Sequence, residues 1–165
     1  MNTGQMMITL GAMMILGMVI LRVNNGFLST NTVLLDAKLG VLAVSLATSV
    51  IEEATGKAFD AETDTNSVNN RADLTSSGSL GPGAGEVYPD YNDFDDFNGL
   101  VYINNTMPSA VFKIECFVGY INPVNPEVFV STRTWHKKLI VQVTSESMED
   151  DTVRMSAINS YFYFR

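Results

Sequence analysis

Apolar residues follow three different patterns along this chain. Met6–Leu21 (MMITLGAMMILGMVIL) is apolar on every side when wound as a helix, which a surface helix of a globular domain is not. From Thr32 to Glu53 the apolar positions become periodic. Leu28, Leu35, Leu39, Leu42, Leu46 and Val50 recur at sevens, fours and threes and make one stripe, widened by Leu34, Val41 and Val44. Asn24-Asn25-Gly26 lies between the two and is a break signal, predicting a kink, an unwound turn or a stop. Gly56 follows Glu52 and Glu53 as the expected helix C-cap.

From Gly99 the period falls to two. Leu100–Ile103 is a short strand candidate. Val111–Ile121 places Phe112, Ile114, Cys116, Val118 and Tyr120 on one face, with Lys113 and Glu115 on the other. Pro123 and Pro126 end it in a turn. Lys137–Thr144 keeps Leu139, Val141 and Val143 in phase, and Thr152–Phe164 does so with Val153, Met155 and Ala157. Strands in sequence joined by short turns predict an antiparallel meander.

The chain therefore divides into an apolar helix over 1–23, an amphipathic helix over 24–57, a long polar loop over 58–98 and a sheet over 99–165. The predicted fold class is α+β: a long N-terminal helix on a roughly four-stranded antiparallel sheet. Leu35, Leu39, Leu42 and Leu46 are the expected helix–sheet contacts.

Three readings compete for Met6–Leu21. A cleaved secretory signal has a basic start and a small-x-small cleavage site; Met1–Gln5 carries no Lys or Arg and no Ala-x-Ala follows the run. A buried core helix conflicts with its all-round apolarity. A transmembrane anchor needs roughly 20 apolar residues, and Met6–Val23, with Thr9 and Arg22 inside it, is just long enough. Gly11 and Gly17 cost helix propensity but allow helices to approach closely.

A net charge of -8 changes the picture by excluding a nucleic-acid partner, since phosphate binding needs a surface of Lys and Arg. Cys116 is the only cysteine, so no intrachain disulfide is possible. Catalytic signatures are missing: His136 stands alone beside Lys137 and Lys138, and neither Gly-x-Ser-x-Gly nor HExxH occurs. No catalytic residues and no enzyme activity are expected. Asn66–Gly85 is Gly-rich but lacks the lysine of a phosphate-binding loop. Pro89–Gly99 (PDYNDFDDFNG) sets Asp90, Asp93, Asp95 and Asp96 among aromatics. Clustered carboxylates suit calcium, though the EF-hand pattern is absent. The competing reading is that these side chains cap turns by accepting backbone amides.

The order of elements resembles the type IV pilins and the pseudopilins of type II secretion. Gly4-Gln5 ahead of the apolar run looks like a prepilin peptidase site, which the family cleaves after Gly. Phe94–Gly99 (FDDFNG) and the strand Lys137–Val143 resemble motifs of MshD-type minor pilins. The resemblance implies a self-assembling subunit of an extracellular filament, or fimbrium, with a role in cell adhesion. It implies the inner membrane and a pilus assembly machinery as partners before assembly. Self-assembly would then run through Met6, Met7, Ile8, Leu10, Met13, Met14, Ile15, Leu16, Val19, Ile20 and Leu21. Two alternatives stay open: a minor pseudopilin of a pilus or secretion machine, and a membrane-anchored binding domain that uses calcium. The sequence departs from the family in one place that bears on assembly. Where the family carries a Glu, four residues after Gln5, this chain has Thr9.

Overall fold

The structure is a computed structural model that describes residues 2–148 and 151–162. The chain forms two compact units, Met1–Lys38 and Leu39–Arg165. Among the described residues one helix, α1 (Thr3–Thr55), supplies the regular structure of the first unit and begins the second. The layout is α+β and pilin-like: one long N-terminal helix, whose later turns lie on an antiparallel sheet.

The break expected at Asn24-Asn25-Gly26 does not occur, and α1 runs through it. A break would leave eight backbone groups without helical partners. Continuing costs only the modest propensity of two Asn and one Gly. Threonines beyond the triplet turn back onto the helix, Thr30 Oγ1 donating to Gly26 O at 2.9 Å and Thr32 Oγ1 to Ser29 O at 2.9 Å. Gly56 closes the helix by donating to Glu52 O and Glu53 O at 3.1 and 3.2 Å.

Among the described residues of the second unit five strands follow: β1 (Val101–Asn104), β2 (Phe112–Asn122), β3 (Asn125–Phe129), β4 (His136–Thr144) and β5 (Thr152–Ser160). The order is β1-β2-β4-β5, all antiparallel, with β3 paired to β2. The four strands expected from the sequence form this meander, and β3 adds to it. The segment read as a Pro-Pro turn contains a strand, because Pro126 falls where the β2–β3 register shifts, between the pairs Asn122↔Asn125 and Ile121↔Phe129. A proline that cannot donate is tolerated at such an irregularity. The predicted end of the last strand, Phe164, lies outside the described residues.

The core lies on the inner sheet face. Leu39, Ala43, Leu46, Ala47, Val50 and Ala54 of α1 meet Phe112, Ile114, Cys116 and Val118 of β2 and Leu139, Val141 and Val143 of β4. The alanines let the helix backbone lie close to the sheet. Leu42 is half-buried against this core. Leu35, expected there, is 56% exposed and outside it; the stripe of leucines continues past the point where the buried face ends.

The stretch 58–98 is not a bare surface loop. Phe59, Val68 and Leu74 form a second cluster around Tyr120 at the far end of the same face, with Trp135 and Tyr161 against it. Three single-turn 3-10 segments, Ala61–Thr63, Arg71–Asp73 and Asp95–Phe97, shape the path between these anchors.

Candidate functional site

Two features stand out, one in each unit. In the first unit the apolar stretch of α1 is exposed among the described residues. An 18-residue window of this helix is long and apolar enough to cross a membrane, and none of the window is buried. Met6, Met7, Ile8, Leu10, Met13, Met14, Ile15, Leu16, Val19, Ile20 and Leu21 are all exposed, Ile15 at 65%. At 100° per residue they face every direction. Gly11 and Gly17 leave open notches, with nothing within 4 Å of where a Cβ would stand. Thr9 satisfies its own hydroxyl by donating to Met6 O at 3.0 Å and Gln5 O at 3.2 Å, so it adds no unpaired polar group to the apolar surface. Gly4 and Gln5 lie in the first turn of α1 and are exposed.

In the second unit the aspartates of 89–99 are placed by backbone geometry. Asp93 Oδ1 accepts the amides of Asp95 and Asp96 at 2.8 and 3.3 Å. Asp96 Oδ2 accepts those of Asn92 and Asp93 at 3.0 and 3.1 Å. This is the turn-capping arrangement, reciprocal and buried, with Tyr91, Phe94 and Phe97 filling the core beneath it. Asp90 is exposed and apart. Among the described residues, no three His, Cys, Asp or Glu side chains make a group that could hold a metal ion.

The cation at this place is Lys137, whose Nζ is wholly buried. It donates to Asp60 Oδ2 at 2.7 Å, to Phe59 O at 2.9 Å and to Asp95 Oδ1. The Phe59 and Tyr120 rings flank it, with centroids at 4.6 and 5.3 Å. Asp60 also accepts the Thr75 amide at 3.1 Å, the Thr75 hydroxyl at 2.9 Å and the Glu62 amide at 3.2 Å. The Tyr120 hydroxyl lies 2.7 Å from Thr75 O and 3.2 Å from Asp60 Oδ2. One lysine on β4 thus ties together both ends of the 58–98 stretch.

The electrostatics separate the carboxyls. Burial opposes ionisation of Asp60, but the Lys137 charge and the donors from Lys137 and Thr75 outweigh it and hold its pKa below the ordinary value. Asp93 is pushed up to about 8, first by burial and then by the charge of Asp95. Asp95 is raised by burial despite Lys137, and Asp96 is raised by burial despite its two backbone amides. Burial alone pushes the Cys116 thiol up to about 12, which leaves it an inert core side chain. His136 is half-buried, with Nδ1 2.8 Å from Ser160 Oγ across β4 and β5.

Sequence reasoning passed over Lys137 and Asp60. A signal for Lys137 was present: it stands in phase with Leu139, Val141 and Val143, on the core face. No comparable local signal marks Asp60, whose role depends on a contact with β4. No protein-family model, curated protein or solved structure matches this chain.

Proposed function

We propose that the chain is a structural subunit of a bacterial type IV pilin-like filament, assembling through the apolar part of α1 and without catalytic activity. The observation that carries this reading is the unburied apolar helix. Exposing one Leu-sized side chain to water costs roughly 1.5–3 kcal/mol, so a run of this length requires either lipid or other apolar helices around it. Before assembly the inner membrane provides the lipid. In the filament, copies of the same helix replace it, and a rotation that does not close repeats one contact indefinitely. The second unit would stay outside the membrane and form the coat of an extracellular filament. Notches at Gly11 and Gly17 suit close helix approach. A self-satisfied Thr9 suits a helix that must lie first in lipid and then among helices. The net charge of -8 supports a well-solvated coat and no nucleic-acid partner.

Electron cryo-microscopy of material sheared from cells making the wild-type chain or Ile15→Asp tests this. Filaments with bundled axial helices are expected for the wild type. None are expected for the variant, whose second unit should still fold. Normal filaments from Ile15→Asp would sink the reading. Recovery of the wild-type chain only in the membrane fraction would replace it with a membrane-anchored subunit or binding domain.

A further inference from the structure

We propose that Lys137 and Asp95 condense into an intramolecular amide, a covalent staple between β4 and the turn that carries Asp93–Phe97. Three properties of the cluster lead to this, and none depends on the filament reading.

The first is enclosure. The Lys137 side chain is 0% exposed, with Asp60 at 0% and Asp95 at 2%. The amine is held against the Asp95 carboxyl between the Phe59 and Tyr120 rings. Two reacting groups fixed in contact form an effectively unimolecular pair, and exclusion of water favours condensation over hydrolysis. Condensation also removes two charges from a place where holding them is costly.

The second is a division of roles among the carboxyls. Asp60 is surrounded by donors from Thr75 and Glu62 as well as Lys137, so it stays ionised and serves as a base. Asp95 instead meets Lys137, and its backbone amide donates to Asp93 Oδ1 at 2.8 Å, which sets beside it a carboxyl that burial and the Asp95 charge push up to about 8, a proton source. Asp95 is therefore the carboxyl that accepts attack.

The third is that the step balances without a co-reactant. The Lys137 ammonium gives one proton to Asp60, and Asp93 gives one to Asp95. The neutral amine lone pair then attacks Asp95 Cγ, forming the C–N bond. One Asp95 oxygen, already protonated, takes the proton from Asp60 and leaves as water as its C–O bond breaks. The nitrogen returns its surplus proton to Asp93. Ammonium and carboxylate become amide and water; Asp60 and Asp93 end as they began. With Cys116 as the only cysteine, an amide is a covalent brace open to this chain where a disulfide is not.

Intact-mass spectrometry of the purified full chain, followed by peptide mapping, tests the staple. The expected mass is below that of the sequence by one water, about 18 Da, with a branched peptide joining residues 95 and 137. Asp95→Asn should link with loss of ammonia, a shift of about 17 Da. Lys137→Met and Asp95→Ala should both show their unshifted masses. An unshifted wild-type mass overturns the proposal. So does a loss of water without a 95–137 branched peptide. Both of these outcomes are read on the wild-type chain and do not depend on any variant folding.

Discussion

At the residue scale the second unit turns on Lys137. Replacing it with Met leaves Asp60 and Asp95 buried without their cation, which costs about 3–5 kcal/mol in a buried ion pair; an amide link would add to that loss. Neutralising the carboxyls as well, in Lys137→Met with Asp60→Asn and Asp95→Asn, should restore much of it. Denaturant unfolding followed by the single tryptophan, Trp135, stacked on Tyr161 at 5.4 Å, reports this unit alone. Equal stability of Lys137→Met and wild type would mean that Lys137 does not hold this unit together. Asp93 makes a separate prediction. An acid raised from 3.8 to about 8 keeps in the fold a proton that the unfolded chain has released. Its contribution is therefore full below pH 3.8 and is lost as pH rises through about 8. Asp60, lowered, contributes above the ordinary carboxyl range and is lost as pH falls through its own depressed value. Asp93→Asn keeps the Oδ1 acceptor for the Asp95 and Asp96 amides and removes the titration. Its melting temperature should decline less than the wild type's between about pH 4 and 8; an unchanged slope would refute the assignment. Alternation along β4 makes Lys137 legible as a core-facing residue. Its partners were not legible, because Asp60 and Asp95 reach it only through the folded path of 58–98.

At the scale of elements, the helix and the strand faces were readable because burial imposes period on sequence. The Phe112–Tyr120 alternation maps directly onto the inner face of β2. What could not be read was where the helix stops being covered, since Leu35 and Leu39 are one helical turn apart and chemically identical. The structure buries Leu39 and Leu46 and leaves Leu35 exposed. Leu46→Ala should cost about 2–5 kcal/mol, whereas Leu35→Ala should stay within about 0.5 kcal/mol, both measured by Trp135 fluorescence in denaturant. Equal costs would mean that the core extends further along α1 than described. Strand β3 was hidden for a different reason: its one proline, Pro126, with Pro123 just before it, carries a turn signal, and its pairing rests on tertiary fit. Phe129 lies across Gly119, where an added Cβ would sit 2.5 Å from its Cδ1, and packs edge-on to Phe117 at 4.9 Å between centroids. Gly119→Val should therefore displace Phe129 and loosen β3 while the inner core stays intact. Faster amide exchange confined to β3 and the end of β2 would be the sign.

At the scale of the whole molecule, apolar surface and charge are divided along the chain. Residues 1–38 contain only Arg22, Asp36 and Lys38 as charged side chains, a net of +1, so the second unit carries -9 against the chain's -8. The proposed assembly then sets an apolar attraction between helices against a repulsion between like-charged domains. Screening shortens the repulsion, with a Debye length of about 10 Å at 0.1 M salt and about 3 Å at 1 M, and leaves helix burial intact or slightly strengthened. Filaments of this chain should therefore withstand rising salt, with a larger fraction sedimenting at 1 M than at 0.05 M sodium chloride. Assembly held by ion pairs between domains would show the reverse. The same sedimentation assay on Ile15→Asp separates the two forces, because a charge in the apolar stretch weakens the attraction without changing the charge of the second unit. Salt that dissolves wild-type filaments would place the main contact between the charged domains and not along α1.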